Sequence, residues 1–232
     1  MAQLEFNEAL AAQMEVIYSR RDILRRRALV HAALGALPGD RVLDAGCGPG
    51  FYVAETLERV GPEGSVVGVD ASTPMLALAA KRCEGHSNVA FREGDVTALP
   101  LPDAEFDRAL SVQVLEYVDD IPAALAELKR ALKPGGRVLI WDVDWATVSW
   151  HSEDPARMER FLVAWDKHLS DPSLPRTLSA PMRAAGFEDV EMTAHAFASN
   201  DLNEETYAGS LMHLMAGYVG GEYATAFVDG QV

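Results

Sequence analysis

Ten residues, R-V-L-D-A-G-C-G-P-G at 41–50, constrain this chain more than any other stretch. A short apolar strand over 41–43 runs into Asp44. Glycines at 46, 48 and 50 then carry the chain to a helical pattern that begins near Phe51. Glycine adopts positive φ readily and lets another group approach the bare backbone. A loop of this kind at a helix N-terminus offers free N–H groups to an anionic or strongly polar part of a ligand.

The chain around this loop alternates strands with helices. Apolar residues at Leu10, Met14, Ile17, Ile23, Leu24 and Leu29 predict one or two helices over 3–37, ended by the turn Pro38-Gly39-Asp40. A helix over 52–59 is broken by Gly61-Pro62-Glu63-Gly64, and a second strand over 65–69 is closed by Asp70. The helix over 72–82 is capped by Ser72 or Thr73, with Pro74 in its first turn, where the missing N–H does no harm. Strands follow over 89–92 and 106–112. A helix then runs from Asp120 or Ile121 to Leu132, and Lys133-Pro134-Gly135-Gly136 ends it before a fifth strand over 137–143. This alternation predicts an α/β fold with a mostly parallel sheet and helices on both faces. Beyond it we expect helices over 154–168 and 176–185, a sixth strand over 190–198 and a helix over 204–219.

At 232 residues, 49% hydrophobic and 24% charged, the composition is that of one globular, soluble domain. No apolar run reaches the roughly 18 residues of a membrane span, and no basic-then-apolar leader pattern opens the chain. We therefore expect a cytoplasmic protein. A formal charge of −15 argues against non-specific nucleic-acid binding, which depends on lysine and arginine against phosphate. The basic cluster Arg20, Arg21 and Arg25 to Arg27 reads as a solvated helix face. Cys47 and Cys83 lack metal-ligand spacing, and no metal site is expected.

Asp70 stands twenty residues after Gly50 at a strand's carboxyl end, where an acid can accept both ribose hydroxyls of an adenosine ligand or, more simply, cap the next helix. In E-G-D-V at 93–96, Asp95 is placed to accept from an adenine amine or to fold a turn. The dinucleotide fingerprint G-x-G-x-x-G would need glycine at 51, which is phenylalanine. The ordered set V-L-D-A-G-C-G-P-G, V-V-G-V-D, E-G-D-V-T-A-L-P, F-D-R-A-L-S-V-Q-V-L-E-Y-V and L-K-P-G-G-R-V-L-I instead resembles the class I S-adenosylmethionine-dependent methyltransferases. A-L-P-L-P-D-A-E-F at 98–106 resembles their type 11, quinone-biosynthesis-like branch of small-molecule enzymes.

The resemblance implies a Rossmann-like fold that binds S-adenosyl-L-methionine. Gly46, Gly48 and Gly50 would line the methionine part, with Asp44 beside it. Asp70 would hold the ribose, while Ala71, Ser72 and Met75 would flank the adenosine. Asp95 and Val96 would edge the adenine, and Ser111 and Gln113 would approach the sulfonium. Amino-terminal helices often close over the cofactor in such enzymes. Tyr18 and Arg26 are the candidates for that contact, the arginine because its fork suits a carboxylate. In domain terms, 1–232 is one methyltransferase domain: a helical lid at 1–37, a cofactor-binding core at 41–144, a helical acceptor-side insertion at 145–185, and a carboxyl-terminal strand and helix at 186–232. The family's sheet carries a last antiparallel strand beside the fifth. Either the run 223–228 supplies it or the chain is truncated, and truncation or an unusual tail is the expectation.

Methyl transfer is an in-line displacement in which alignment does most of the work, so a base is needed only when the nucleophile must lose a proton. Glu116, Tyr117, Asp142, Asp144, Trp145 and His151 all follow the fourth or fifth strand, on the ligand side of an open sheet. Glu116 and His151 are the candidate catalytic residues, although a surface acid and an exposed histidine are plainer readings of the two. Tyr117, Asp144, Trp145 and Trp150 are the candidate acceptor contacts, a tryptophan face being attractive to ammonium groups. The expected partner is a small-molecule acceptor, with neither nucleic acid nor membrane, and a homodimer is compatible. Two rivals stand beside this reading: a nicotinamide-dependent oxidoreductase, and a partner subunit that binds the cofactor without turnover.

Overall fold

The structure, a computed structural model, describes residues 14–199 and 206–219. Five strands, β1 (Arg41–Ala45), β2 (Ser65–Asp70), β3 (Val89–Glu93), β4 (Phe106–Val112) and β5 (Leu132–Trp141), form one sheet in the order β3-β2-β1-β4-β5. Every pairing is parallel. Helix α1 (Arg21–Leu34) precedes β1; α2 (Phe51–Val60), α3 (Thr73–Arg82) and α4 (Ile121–Ala131) are crossovers. Strand order reverses at β1, with β2 on one side and β4 on the other, and an open sheet binds its ligands beyond the carboxyl ends of the strands at such a point.

Alternate side chains along a strand point to opposite faces, so both faces of this sheet are apolar and both are covered. Val42 and Val66 join Val30 and Leu34 of α1 and Val53, Leu57 and Val60 of α2 in one core. The next positions, Leu43 and Val67, pack on the other face with Leu125 and Leu128 of α4. Beyond β5, α5 (Pro155–Asp166) and α8 (Tyr207–Val219) build a smaller core around Trp145, Phe161, Trp165, Met212 and Met215. Among the described residues no helix is long and apolar enough to cross a membrane.

The structure corrects several expectations. Strand five begins at Leu132, directly after α4. Its pairing jumps from Phe106↔Leu132 to Arg108↔Arg137, so Lys133-Pro134-Gly135-Gly136 bulges out of the ladder instead of preceding it. The helix expected over 176–185 is two pieces, α6 (Leu174–Thr177) and α7 (Ser179–Ala184), because Pro181 has no N–H for the carbonyl of Thr177. Residues 14–18 form a separate helical turn before α1, and the start of the 3–37 stretch lies outside the described residues.

The sixth strand expected over 190–198 does not form. A strand needs its backbone hydrogen bonds taken by a neighbour, and among the described residues this segment forms no ladder with β5 or any other strand. It stays extended and open to solvent, with Met192 68% exposed, although His195 stacks on Trp141 of β5 at 5.2 Å. The run 223–228 lies outside the described residues.

The arginine cluster is only partly a solvated face. The buried stripe of α1 is Ile23, Arg26, Arg27, Val30, His31 and Leu34, at helical spacing, and it carries two of the arginines inward. Arg27 pairs with Glu55 of α2 at 2.7 Å, and His31 meets the same carboxylate at 2.8 Å. Arg26 goes elsewhere.

Candidate active site

The loop after β1 is fastened at both ends. The N–H groups of Gly46 and Cys47 donate to the carbonyl of Val69 at the end of β2, 2.7 and 2.9 Å away. Gly46 has φ +82°, and a Cβ there would lie 2.2 Å from a methyl of Val114, so both conformation and space require glycine. Gly48 also has positive φ, but a Cβ there would meet nothing within 4 Å. Its backbone faces open space, as a cradle for a ligand must. Phe51, where the dinucleotide fingerprint wants glycine, is covered by the guanidinium of Arg82, 3.5 Å from the ring centre.

The Asp70 carboxylate joins this loop to the next: Oδ2 accepts from the Gly48 N–H and Oδ1 from the Ser72 N–H, each at 2.8 Å. Burial raises its pKa against the pull of those two N–H groups. A carboxylate has about four lone-pair sites, so two sites remain for ribose hydroxyls. Ser72 caps α3 by accepting from the Met75 N–H at 3.4 Å, and Ala71 between the two acceptors is exposed. Met75 is buried against Met14 and Ile17. In the loop after β3, Asp95 spends Oδ1 on the N–H and hydroxyl of Thr97, leaving Oδ2, while Val96 is buried in the sheet core.

Against the turn after β4 sits Arg26 of α1, only 6% exposed. It donates from Nη1 to Oε1 of Gln113, and lies among the phenols of Tyr18, Tyr52 and Tyr207. Among the described residues it forms no ion pair, and its Nε has no acceptor. A buried guanidinium without an anion is expensive, and a carboxylate is the partner it fits best. Gln113 is held in place by its own N–H, which donates to the carbonyl of Trp141 at 2.7 Å, and by φ +55°, a strained value for a non-glycine residue. Ser111, one turn of strand earlier, is fully buried and its hydroxyl has no partner.

Three carboxyls gather beneath this chamber. Asp44 is 1% exposed, and Oδ2 has no partner. Burial, then the charge of Asp70, pushes its pKa up to about 8. Glu116 is fully buried; Oε2 accepts from the Val143 N–H at 3.1 Å, and the Trp145 indole lies close to the carboxyl. Asp142 accepts from the Val114 N–H at 3.1 Å. Burial raises both pKa values, and the charge of Asp142 raises Glu116 further, so the pair keeps a proton near neutral pH. The charge of Glu116 reaches Tyr18, Tyr117 and Tyr207, which places it in the Arg26 chamber.

A testable consequence concerns stability. Folded Asp44 holds a proton that unfolded Asp44 loses near its ordinary 3.8, so folding stability is full below that pH and falls as pH rises toward about 8. Glu116 and Asp142 act in the same direction. The melting midpoint of the ligand-free protein is expected to fall between pH 5 and pH 8, and Asp44→Asn to flatten part of that slope. A midpoint that rises over this range, read by differential scanning calorimetry, would contradict the burial of these acids.

The structure brings together Tyr18, Arg26, Gln113, Glu116 and Tyr117 from the sequence reading. It adds Tyr52 and Tyr207, which that reading lacked. Tyr52 directly follows Phe51 at the start of α2, so its place beside the loop was legible. Tyr207 stands 94 residues after Gln113 with no motif around it, so nothing in the sequence pointed to it. His168 was also missed. It is buried among Trp165, Tyr218 and Tyr117, and the Trp165 carbonyl fixes the proton on Nδ1, which leaves Nε2 as an unpartnered lone pair.

The other acceptor-side candidates separate. Asp144 is turned outward to Arg176, at 2.8 Å. Trp145 is buried against Trp165 near Glu116. Trp150 is half-buried, and His151 is exposed, with no hydrogen bond, ion pair or ring contact among the described residues; both line an outer groove. Among the described residues no group of three His, Cys, Asp or Glu is placed to hold a metal ion.

Comparison with known proteins agrees with this geometry. A family model described as a methyltransferase domain matches residues 43–140. A 2-phytyl-1,4-naphtoquinone methyltransferase of Synechocystis is 44% identical over 111 residues, 47% of this chain and 47% of that protein. A malonyl-[acyl-carrier protein] O-methyltransferase of Serratia marcescens is 40% identical over 102 residues, covering 44% and 38%. The chain thus spans less than half the length of these curated relatives. A solved phosphoethanolamine N-methyltransferase 2 of Haemonchus contortus, in complex with S-adenosyl-L-methionine, shares the fold with a TM-score of 0.66 at 23% identity, over 81% of this chain and 43% of that one. With the parallel sheet, the glycine-rich loop and the acid after β2 in place, residues 43–140 form a methyltransferase domain of the class I, S-adenosylmethionine-dependent kind.

Proposed function

We propose that this chain transfers the methyl group of S-adenosylmethionine to a small organic acceptor. One observation carries the reading: among the described residues Arg26 is buried without an ion pair and bonds to Gln113 just after β4, while the open Gly48 backbone and the Asp70 carboxylate follow β1 and β2 at the same edge of the sheet. A cation, a bare backbone and an acid at one edge of the sheet are the groups that an amino-acid carboxylate joined to a ribose would use. S-adenosylmethionine supplies a methyl group on a sulfonium sulfur, which leaves as a neutral thioether when the acceptor's lone pair takes the methyl carbon.

In this reading Arg26 pairs with the carboxylate, Asp70 accepts from the ribose hydroxyls and Asp95 from the adenine amine. Gln113, fixed by Trp141 and Arg26, orients the sulfonium side. Glu116 takes the acceptor's proton where the nucleophile carries one. Its neutral-range affinity for protons suits that role. The charge of −15 favours a small acceptor over nucleic acid, and the setting we propose is cytoplasmic, with which a homodimer is compatible.

Calorimetry with S-adenosylhomocysteine and NAD side by side tests the reading. The first is expected to bind and the second not; the reverse would make the protein an oxidoreductase. Asp70→Ala is expected to weaken S-adenosylhomocysteine by roughly 5- to 150-fold, the cost of about 1–3 kcal/mol for buried polar groups left unpaired. A cationic sulfonium near the Glu116–Asp142 pair favours its charged form. S-adenosylmethionine is therefore expected to release protons on binding at pH 7, and its affinity relative to uncharged S-adenosylhomocysteine to rise with pH. Equal proton release for the two ligands, measured in buffers of different ionisation enthalpy, would place the pair away from the sulfonium.

A further inference from the structure

A groove of about 480 Å³ opens between the turn after β5 and helix α5, outside the Arg26 chamber. Its apolar walls include Trp145, Trp150, Met158 and Leu162, and Glu159 and Asp166 of α5 also line it. Glu159 and Asp166 are seven residues apart, two turns along one face of the helix. Among the described residues neither carboxylate has an ion pair or a hydrogen bond, and no lysine or arginine lines the groove. Burial raises the pKa of Asp166, as expected of an acid facing apolar walls without a cation. Trp145 is shared: it lines the groove, and its indole approaches the Glu116 carboxyl.

We infer that this groove binds the acceptor, and that the acceptor is an organic amine with an apolar body. The inference rests on the methyltransferase reading for the word acceptor, but not for the ligand's chemistry. Two unpaired carboxylates select a cation over an anion. Tryptophan faces attract ammonium groups and also cover alkyl or aromatic carbon. The volume lies within the range of small-molecule sites. A carboxylic acid would meet two like charges, and a phosphate would find no basic residue.

The test titrates 2-phenylethylamine and its carboxylate counterpart 3-phenylpropionate into the protein, following tryptophan fluorescence and heat. The amine is expected to bind at least tenfold more tightly at pH 7.5. The variant E159Q/D166N is expected to lose that preference while keeping its melting midpoint and its affinity for S-adenosylhomocysteine. Trp150→Ala, at a half-exposed position, is expected to weaken the amine and leave the cofactor unaffected. Binding of the carboxylate as tightly as the amine, or an amine affinity unchanged in E159Q/D166N, overturns the inference. Failure of S-adenosylhomocysteine to bind would instead sink the methyltransferase reading and leave the amine titration to be read on its own.

Discussion

Arg26→Ala is expected to lower the affinity for S-adenosylhomocysteine by roughly two to three orders of magnitude. Removing one partner of a buried ion pair costs about 3–5 kcal/mol, because the other charge stays desolvated and unanswered. In the ligand-free protein the same substitution removes a cation with no anion beside it, so the loss of packing is offset by relief of burial. The melting midpoint without ligand should therefore move by only a few degrees while the stabilisation by ligand largely disappears. Arg26→Lys should recover little, since an ammonium cannot reproduce the planar fork that reaches Gln113 and a carboxylate together. Isothermal calorimetry with thermal melts on both variants decides the matter. Unchanged affinity in Arg26→Ala would mean that the carboxylate sits elsewhere and that this arginine is a costly structural residue.

The two glycines two residues apart in the loop should lose cofactor affinity for different reasons, one through the fold and the other through the cradle. Gly46→Ala places a methyl 2.2 Å from Val114 in a left-handed conformation. The conformation costs about 1–2 kcal/mol. Overpacking adds about 1–3 kcal/mol, and a domain of this size loses about 2–4 °C of melting midpoint per kcal/mol. A drop on the order of 10 °C is expected, together with loss of cofactor binding as the end of β4 is pushed away. Gly48→Ala meets no protein atom, so only the conformational cost of about 1–2 kcal/mol appears in the melt. Its methyl stands in the open cradle, and cofactor affinity should fall well beyond what the small change in stability implies. If Gly48→Ala binds S-adenosylhomocysteine like the parent, the ligand does not approach this backbone.

Much of this was legible in the chain. The strands up to residue 141 and their parallel pairing followed from short apolar runs punctuated by glycine, proline and capping residues. The cradle followed from glycine spacing, and its exclusion of the dinucleotide fingerprint from Phe51 alone. Even the inward arginines were readable, since 26 and 27 fall on the same helical stripe as 23, 30 and 34. Segment 190–198 misled because its alternation of apolar and polar residues is that of a strand, while a strand also needs a neighbour, and a local pattern says nothing about which neighbour is present. The acceptor side was the least legible. His151 stood in the expected region yet lies exposed, whereas His168, further along, is carried inward by the packing of Trp165.

The sequence by itself determined the order of elements, the turn that exposes backbone to a ligand, and the acids at the ends of successive strands, because each depends on residues within a few positions of one another. Only the tertiary structure decided that Arg26 has no ion pair among the described residues, that Tyr207 joins the chamber from far along the chain, that Asp144 is spent on Arg176, and that burial raises the pKa of both Glu116 and Asp142. Charge state, burial and pairing depend on what the fold brings alongside a residue, and segments distant in sequence meet only when the sheet and its helices have packed.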